Sequence, residues 1–291
     1  MRVSVVQMTP GADKAANIAQ AGRLIDEAVT ADRPDIVSLP EMWTCLGGDR
    51  ATKLAEGETL PAAGSNALGG AAYEFLRGVA RTRGIFVHGG SLGERVGSES
   101  SGEKLFNTTV VFGPDGSELA RYRKIHLFDI TTPEGTGYRE SSTYGGGSEI
   151  VTFVAGGITV GCAICYDLRF PELFVELRRR GAELVFLPSA FTVATGRDHW
   201  EVLIRARAIE TQCWFAAPAT FGVHRDGKGE ARHTYGRSLV VDPWGTVVAQ
   251  VSDGMGWTTA RIDPALTRRT RANMPVLEHR RMAHRDVGAP G

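Results

Sequence analysis

The chain has 291 residues, 42% hydrophobic and 23% charged, a composition that suits a folded globular protein with a large core and excludes a disordered one. Its 33 Lys and Arg balance 33 Asp and Glu, so composition implies no basic face for nucleic acid. Four cysteines (Cys45, Cys162, Cys165, Cys213) are too few for a disulfide scaffold at this length, and no apolar run approaches the ~18 residues that span a bilayer.

The opening MRVSVVQMTP reads as a strand from Val3 to Val6 rather than a secretory leader, so a cytoplasmic location is expected. Ile18, Ala21, Leu24, Ile25 and Ala28 recur at helical spacing, and Asp35 to Leu39 is a second strand running into Pro40-Glu41. A helix through Tyr73, Leu76 and Val79 and a strand from Ile85 to His88 follow. Gly93 to Lys104 is polar and reads as a surface loop. Leu105 to Phe112 and Leu119 to Tyr122 form a hairpin around Gly113-Pro114-Asp115-Gly116. Phe128 to Gly147 lacks periodicity, and a loop of that length in a compact domain usually serves function.

Strands are expected at Ile150 to Phe153 and Ile158 to Ile164. A helix starts at Pro171 and stops at Gly181, and a strand follows at Leu184 to Leu187. Asp198 to Thr211 is helical. Trp214 to Ala217, Ser238 to Val241 and Val247 to Val251 are strands, the last two joined by Asp242-Pro243-Trp244-Gly245. From Arg268 onward the chain reads as a basic tail. With no composition break, this is an α/β fold of one domain over 1–281, ending in a tail at 282–291.

The chemistry centres on Cys165. A buried strand runs into it and a helix begins a few residues later, so its thiol lies at a strand-to-helix elbow, near a helix N-terminus that favours negative charge. Cys162-Ala-Ile-Cys165 is formally C-x-x-C, but Cys162 falls inside a strand with its side chain on the opposite face, which disfavours a redox pair. No zinc spacing is present, and Cys162 and Cys213 read as small buried hydrophobes. A thiol needs a base and a charge stabiliser. His126 is nearest in sequence and reads as structural. Glu41 and Lys124 each follow a strand end.

Leu39-Pro-Glu41, Tyr122-Arg-Lys-Ile-His-Leu-Phe128 and Cys165-Tyr-Asp-Leu-Arg-Phe-Pro-Glu172, in that order, resemble the nitrilase superfamily of carbon–nitrogen hydrolases. The resemblance implies a four-layer α-β-β-α sandwich with two mixed sheets. It makes Glu41 the general base, Lys124 the oxyanion stabiliser and Cys165 the nucleophile. Glu140, in Tyr138-Arg-Glu-Ser-Ser142, orients Lys124 and the substrate, and the Tyr166 backbone N–H shares the oxyanion. No metal or organic cofactor is implied, and the partners are a small amide substrate and a second copy of the chain, as a homodimer or higher homo-oligomer, with no nucleic acid and no membrane.

Pro188-Ser-Ala-Phe-Thr192, Arg205-Ala-Arg-Ala-Ile-Glu210 and Tyr235-Gly-Arg-Ser238 resemble the Nit-type branch, which holds omega-amidases and the amidase of deaminated glutathione. In that branch Phe191 and Thr192 line the pocket, and the substrate is an amide that also bears a carboxylate. Arg169 either contacts substrate or pairs with Asp167. An N-carbamoyl amino acid amidohydrolase is the alternative enzyme, disfavoured because Leu168-Arg169 stands where that type carries two arginines. A non-catalytic or redox protein using Cys162 and Cys165 is the alternative of another class.

Overall fold

The computed structural model describes residues 1–65, 67–97, 104–132, 135–225 and 231–281. Its first half runs β1 (Arg2–Gln7), α1 (Lys14–Asp32), β2 (Ile36–Ser38), α2 (Arg50–Ala55), β3 (Glu58–Thr59), α3 (Ala71–Arg83), β4 (Phe86–His88), β5 (Leu92–Arg95), β6 (Leu105–Phe112) and β7 (Glu118–Arg123). A short hairpin, β8 (Asp129–Thr131) and β9 (Gly137–Arg139), leads to a 3-10 turn at Glu140–Ser142 and to β10 (Tyr144–Gly145). The second half runs β11 (Thr152–Ala155), β12 (Ile158–Cys162), a 3-10 turn at Cys165–Arg169, α4 (Pro171–Arg179), β13 (Leu184–Phe186) and α5 (Val193–Thr195). A π turn at Gly196–Trp200 leads into α6 (Glu201–Thr211), then β14 (Trp214–Ala217), β15 (Phe221–Arg225), β16 (Ala231–Tyr235), β17 (Leu239–Val241), β18 (Val247–Gln250), β19 (Gly256–Arg261) and α7 (Pro264–Asn273).

Strand alternation builds the layers. Val3 and Val5 of β1, Ile36 of β2 and Val111 of β6 point into a core shared with the second sheet. Their neighbours Val6, Val37, Val110 and Phe112 point the other way, against Leu24 and Ile25 of α1 and Tyr73 and Leu76 of α3. The first sheet has the order β19-β1-β2-β4-β6-β5-β3, with β7 and β10 also on β6, and the second the order β11-β12-β13-β14-β17-β18. Parallel and antiparallel pairs occur in both. Helices α4 and α6 pack together, and their Phe174, Leu177, Ile204 and Ala208 join the second sheet's core. The expected α-β-β-α sandwich with two mixed sheets is therefore present.

Local signals account for most boundaries. Asp13 caps α1 by accepting the Ala16 N–H at 3.0 Å. Pro171 begins α4, and Gly181 follows it at φ 91°, a left-handed conformation that glycine takes without strain. Other expectations need correction. Gly93 and Glu94 are not loop but belong to β5, paired to Asn107 and Phe106 of β6. Glu94 is buried because Arg123 and Arg121 neutralise it, at 2.8 and 3.5 Å. Arg95 closes the same strand, and residues 98–103 of that polar stretch lie outside the described residues. The basic segment from Arg268 is not tail: it forms most of α7, capped by Asp263 and held by Arg271 donating to the Ala182 carbonyl. The tail at 282–291 lies outside the described residues. The strand expected to reach Ile164 ends at Cys162, and the helix expected from Asp198 begins as a π turn.

Between the sheets, His88 donates or accepts one hydrogen bond with Ser38 Oγ at 2.8 Å and stacks on Phe186 at 4.5 Å. Burial lowers its pKa from 6.5 to about 3, and burial likewise lowers that of His224 to about 4. The unfolded chain takes up these protons near pH 6.5 and the folded chain refuses them. Stability is therefore full above that pH and is lost progressively toward pH 3, by about 1.4 kcal/mol per pH unit for each such histidine. Urea unfolding at about pH 7, 6 and 5 should show this fall, and His88→Gln should flatten it; an unchanged slope in the variant would exclude His88 as a source.

Candidate active site

Four chain segments, carrying Glu41, Lys124, Glu140 and Cys165, converge at the strand ends between the sheets. Glu41 follows β2 in a tight turn where Met42 adopts φ 49°. The β4–β5 loop supports it: Ser91 N–H donates to the Pro40 carbonyl at 3.1 Å, and Met42 N–H to Ser91 Oγ at 2.9 Å. A Cβ on Gly90 would meet the Pro40 carbonyl oxygen at 2.2 Å, so only glycine lets that loop lie so close. Lys124 directly follows β7, its N–H bonded to the Asn107 carbonyl at 2.9 Å. Glu140 opens the 3-10 turn after β9.

The Lys124 ammonium is buried and lies 2.9 Å from Glu41 Oε1 and 3.1 and 2.9 Å from the two oxygens of Glu140. Burial opposes its charge, yet Glu140 and Glu41 raise its pKa well above the ordinary lysine value. Burial likewise opposes the Glu140 carboxylate, and Lys124 outweighs it and lowers that pKa. Glu140 is saturated: Oε1 accepts from Lys124 and Asn107, and Oε2 from Lys124 and the Phe128 N–H at 2.7 Å. Glu41 differs. Its Oε1 accepts from Lys124 and from Asn107 Nδ2 at 2.9 Å, while among the described residues no nitrogen donor takes Oε2. The two glutamates are thus unequal, and only Glu41 has an oxygen available to take a proton.

Cys165 adopts φ 47°, a left-handed conformation that costs a side-chain-bearing residue about 1–2 kcal/mol. That bend lifts the thiol out of the line of β12 into the cavity. Burial, and then the neighbouring Glu41 carboxylate, push its pKa well above the ordinary thiol value. The elbow effect expected from the helix N-terminus does not prevail, and the Glu41 carboxylate stands within hydrogen-bonding reach of the thiol.

Asp167 fixes the elbow. Fully buried, it accepts from the Ile164 N–H at 2.9 Å, Tyr122 Oη at 2.7 Å and the His126 N–H at 3.1 Å, and lies 2.7 Å from His126 Nδ1. Its partners flank Lys124 and Cys165 in sequence, so one carboxylate ties the two segments together. His126 is engaged there, stacked on Phe170, as its structural reading required. Arg169 does not pair with Asp167; it meets His199 Nδ1 at 3.2 Å and lies over the Tyr166 and Phe191 rings.

A cavity of about 280 Å³ opens at this point, and all eight residues expected from sequence line it: Glu41, Lys124, Glu140, Cys165, Tyr166, Arg169, Phe191 and Thr192. The Tyr166 N–H lies in the first turn of its 3-10 segment, where no intrahelical acceptor exists. Thr192 caps α5, its hydroxyl 2.9 Å from that of Thr195. Sequence reasoning missed four cations in the same wall: Arg50 and Lys53 on α2, Arg139 on β9 and Arg232 on β16. It also missed Asn107. A run of polar side chains, Asn107-Thr108-Thr109, inside an apolar strand was the available signal.

The chain matches the carbon–nitrogen hydrolase family model over residues 2–272. It belongs to that family. This hydrolase is 42% identical over 282 residues to human deaminated glutathione amidase, covering 96% of this chain and 82% of that one. It is 38% identical over 279 residues to the Synechocystis protein of the same name, covering 95% and 97%. It superposes on Nit3 of Saccharomyces cerevisiae, a member of branch 10 of the nitrilase superfamily, with a TM-score of 0.83 at 29% identity over 97% of each chain. Family and relatives identify the activity as hydrolysis of an amide C–N bond.

All four cysteines are free and buried, and Cys162 is fully so, its pKa raised by burial to about 12. Brief treatment of the folded hydrolase with iodoacetamide, followed by peptide mapping, should label Cys165 in the cavity and spare Cys162 and Cys213. Label on Cys162 before unfolding would revive the redox alternative.

Proposed function

We propose that this amidase cleaves a small amide bearing a carboxylate, through a thioester on Cys165, and releases ammonia. Glu41 Oε2 takes the thiol proton as Sγ attacks the carbonyl carbon. The resulting oxyanion meets one N–H of Lys124 and the Tyr166 backbone N–H; one Lys124 N–H can serve both Glu140 oxygens, which leaves one for substrate. Removing such a donor typically costs about 3 kcal/mol of barrier. Glu41 returns its proton to the amine, the C–N bond breaks and ammonia leaves. Water, deprotonated by Glu41, then attacks the thioester, the acid departs and the thiol is restored.

The observation that carries this reading is the unequal bonding of the two glutamates around Lys124, beside a thiol that needs a base. The substrate's charge is argued from the wall. Arg50, Lys53, Arg139, Arg169 and Arg232 surround a cavity whose lining carboxylates, Glu41 and Glu140, are both engaged by Lys124. Such a pocket favours an anion. The names of the curated relatives agree, since deaminated glutathione bears carboxylates. Leu168, at the position where a carbamoylase has its first arginine, is wholly buried in the core and cannot read a substrate. Cys165→Ala should abolish ammonia release with the urea midpoint retained. Among α-ketoglutaramate, succinamate, deaminated glutathione, N-carbamoyl amino acids and simple nitriles, the carboxylate-bearing amides should release ammonia fastest; ammonia from nitriles alone would overturn the proposal.

We also propose that the folded unit spans 1–281, acts in the cytoplasm, where free thiols persist, and pairs with a second copy through α6. Val202 and Ile209, one helical face apart by seven residues, are 65% and 52% exposed, and Trp244 is 61% exposed in the turn beside Ile209. An apolar patch of this kind favours an interface. Size-exclusion chromatography with light scattering should give a dimer or larger assembly, and Val202→Asp with Ile209→Asp should reduce it; a wild-type monomer would exclude the pairing.

A further inference from the structure

Around the Lys124 ammonium the hydrogen bonds close into a ring. Nζ donates to Glu41 Oε1 at 2.9 Å and to Glu140 Oε1 at 3.1 Å. Asn107 Nδ2 donates to the same two oxygens, at 2.9 and 3.1 Å. Two donors thus alternate with two acceptors, and every member contacts both members of the other kind. We propose that Asn107 is a positioning residue of the hydrolase: by closing this ring it turns the second oxygen of Glu41 toward the Cys165 thiol and keeps the two carboxylates in unequal roles.

The chemistry of the amide is specific to this task. Carboxylates only accept, so the NH₂ end of Asn107 must face them, and its two N–H bonds, fixed in one plane, serve one carboxylate each. Lysine's ammonium rotates freely about its stem and cannot alone set the angle between its two partners. The asparagine supplies that missing constraint. Its other end shows what the arrangement sacrifices: Oδ1 is buried with no partner among the described residues. An orphaned acceptor on a residue 1% exposed persists only if the donors at the other end matter more.

The backbone of Asn107 adds to the argument. Its carbonyl accepts the Lys124 N–H at 2.9 Å, so a single residue holds the lysine by its main chain and holds both of the lysine's counter-ions by its side chain. It stands on β6 opposite Gly93 of β5, inside the first sheet, where strand pairing leaves little freedom. Asn107 does not line the cavity, so it acts through Glu41 and Glu140 rather than on substrate. The charged or titratable groups that face Glu41 across this ring are Lys124 from the end of β7, Glu140 from the 3-10 turn, Cys165 from the elbow and Tyr144 from β10. Aspartate at 107 would bring a third carboxylate to one ammonium; leucine would keep the volume and remove both N–H bonds.

The inference rests on Glu41 as the base, so Glu41→Gln is measured beside Asn107→Leu and Asn107→Asp. Iodoacetamide is the probe for the Cys165 thiol, and ammonia release from succinamate and deaminated glutathione reports turnover. In Asn107→Leu, kcat should fall at least tenfold with KM changed less than threefold, and alkylation of Cys165 near pH 7 should slow by a similar factor. Losing a donor that favours a charged carboxylate also moves the acidic limb of both pH profiles upward. Asn107→Asp keeps the shape and should show the same loss if Asn107→Leu fails to fold. Profiles and rates within twofold of wild type in either folded variant, with Glu41→Gln inactive, would overturn the role of Asn107 alone. A fully active Glu41→Gln would overturn the base assignment and this inference with it.

Discussion

A lysine ammonium with almost no access to water, pinned between two glutamates, is the constraint around which the rest of this molecule is arranged. Burying such a charge is unfavourable unless opposite charges meet it at short range with matched geometry. Lys124 meets that condition with two carboxylates, and the sum of the three is one net negative charge facing a neutral thiol. The surplus lies on the residue with a free oxygen. In the proposed reaction, proton uptake from Cys165 removes the surplus and creates a thiolate in its place, so the site would exchange one anion for another with little change in its total charge.

Holding that cluster requires elements far apart in sequence. Glu41 comes from the end of β2, Lys124 from the end of β7, Glu140 from the turn after β9, and Cys165 from the bend after β12. Glu41 and Lys124 follow strands of the first sheet, Glu140 lies between the separate β8–β9 hairpin and β10 of that sheet, and Cys165 follows a strand of the second. Asp167 spans the division, tying the flanks of Lys124 to the flanks of Cys165. The inter-sheet core does the same on a larger scale, since Val3, Val5 and Ile36 share one continuous apolar core with residues of β12 and β13. Shifting one sheet relative to the other would separate the Cys165 thiol from Glu41.

Periodicity made the layers legible. Ala21, Leu24 and Ile25 lie where helical spacing put them, and the β6–β7 hairpin turns at Gly113 to Gly116. The glutamate, lysine and cysteine were legible because each stands at a strand end within a short motif. The elements missed were those whose stability is tertiary. Glu94 reads as a loop residue until Arg121 and Arg123, about thirty positions later in the chain, neutralise it. Arg271 reads as tail until its guanidinium finds the carbonyls of Ala182 and Gln212. Asn107 reads as a polar intrusion into a strand, because its value depends on three side chains that sequence proximity does not bring near it. The sign of the Cys165 effect was misjudged for a related reason: helix position is local, whereas desolvation and the Glu41 charge come from the assembled core.

The β15–β16 hairpin belongs to neither large sheet. It is anchored by Phe221 N–H to the Met8 carbonyl at its start, and by Tyr235 N–H to the Phe191 carbonyl at its end. Between these anchors it delivers Arg232, which donates to the Ala190 carbonyl and lies over the Tyr138 ring at the cavity wall. The hairpin therefore presents a cation to the cavity without sharing strand pairing with the elements that carry Glu41, Lys124 and Cys165. The ribbon is also coupled to the cysteine through one main-chain link: Arg232 holds the Ala190 carbonyl, and the Ala190 N–H bonds the Cys165 thiol, so the residue that presents charge to the cavity also steadies the segment behind the sulfur.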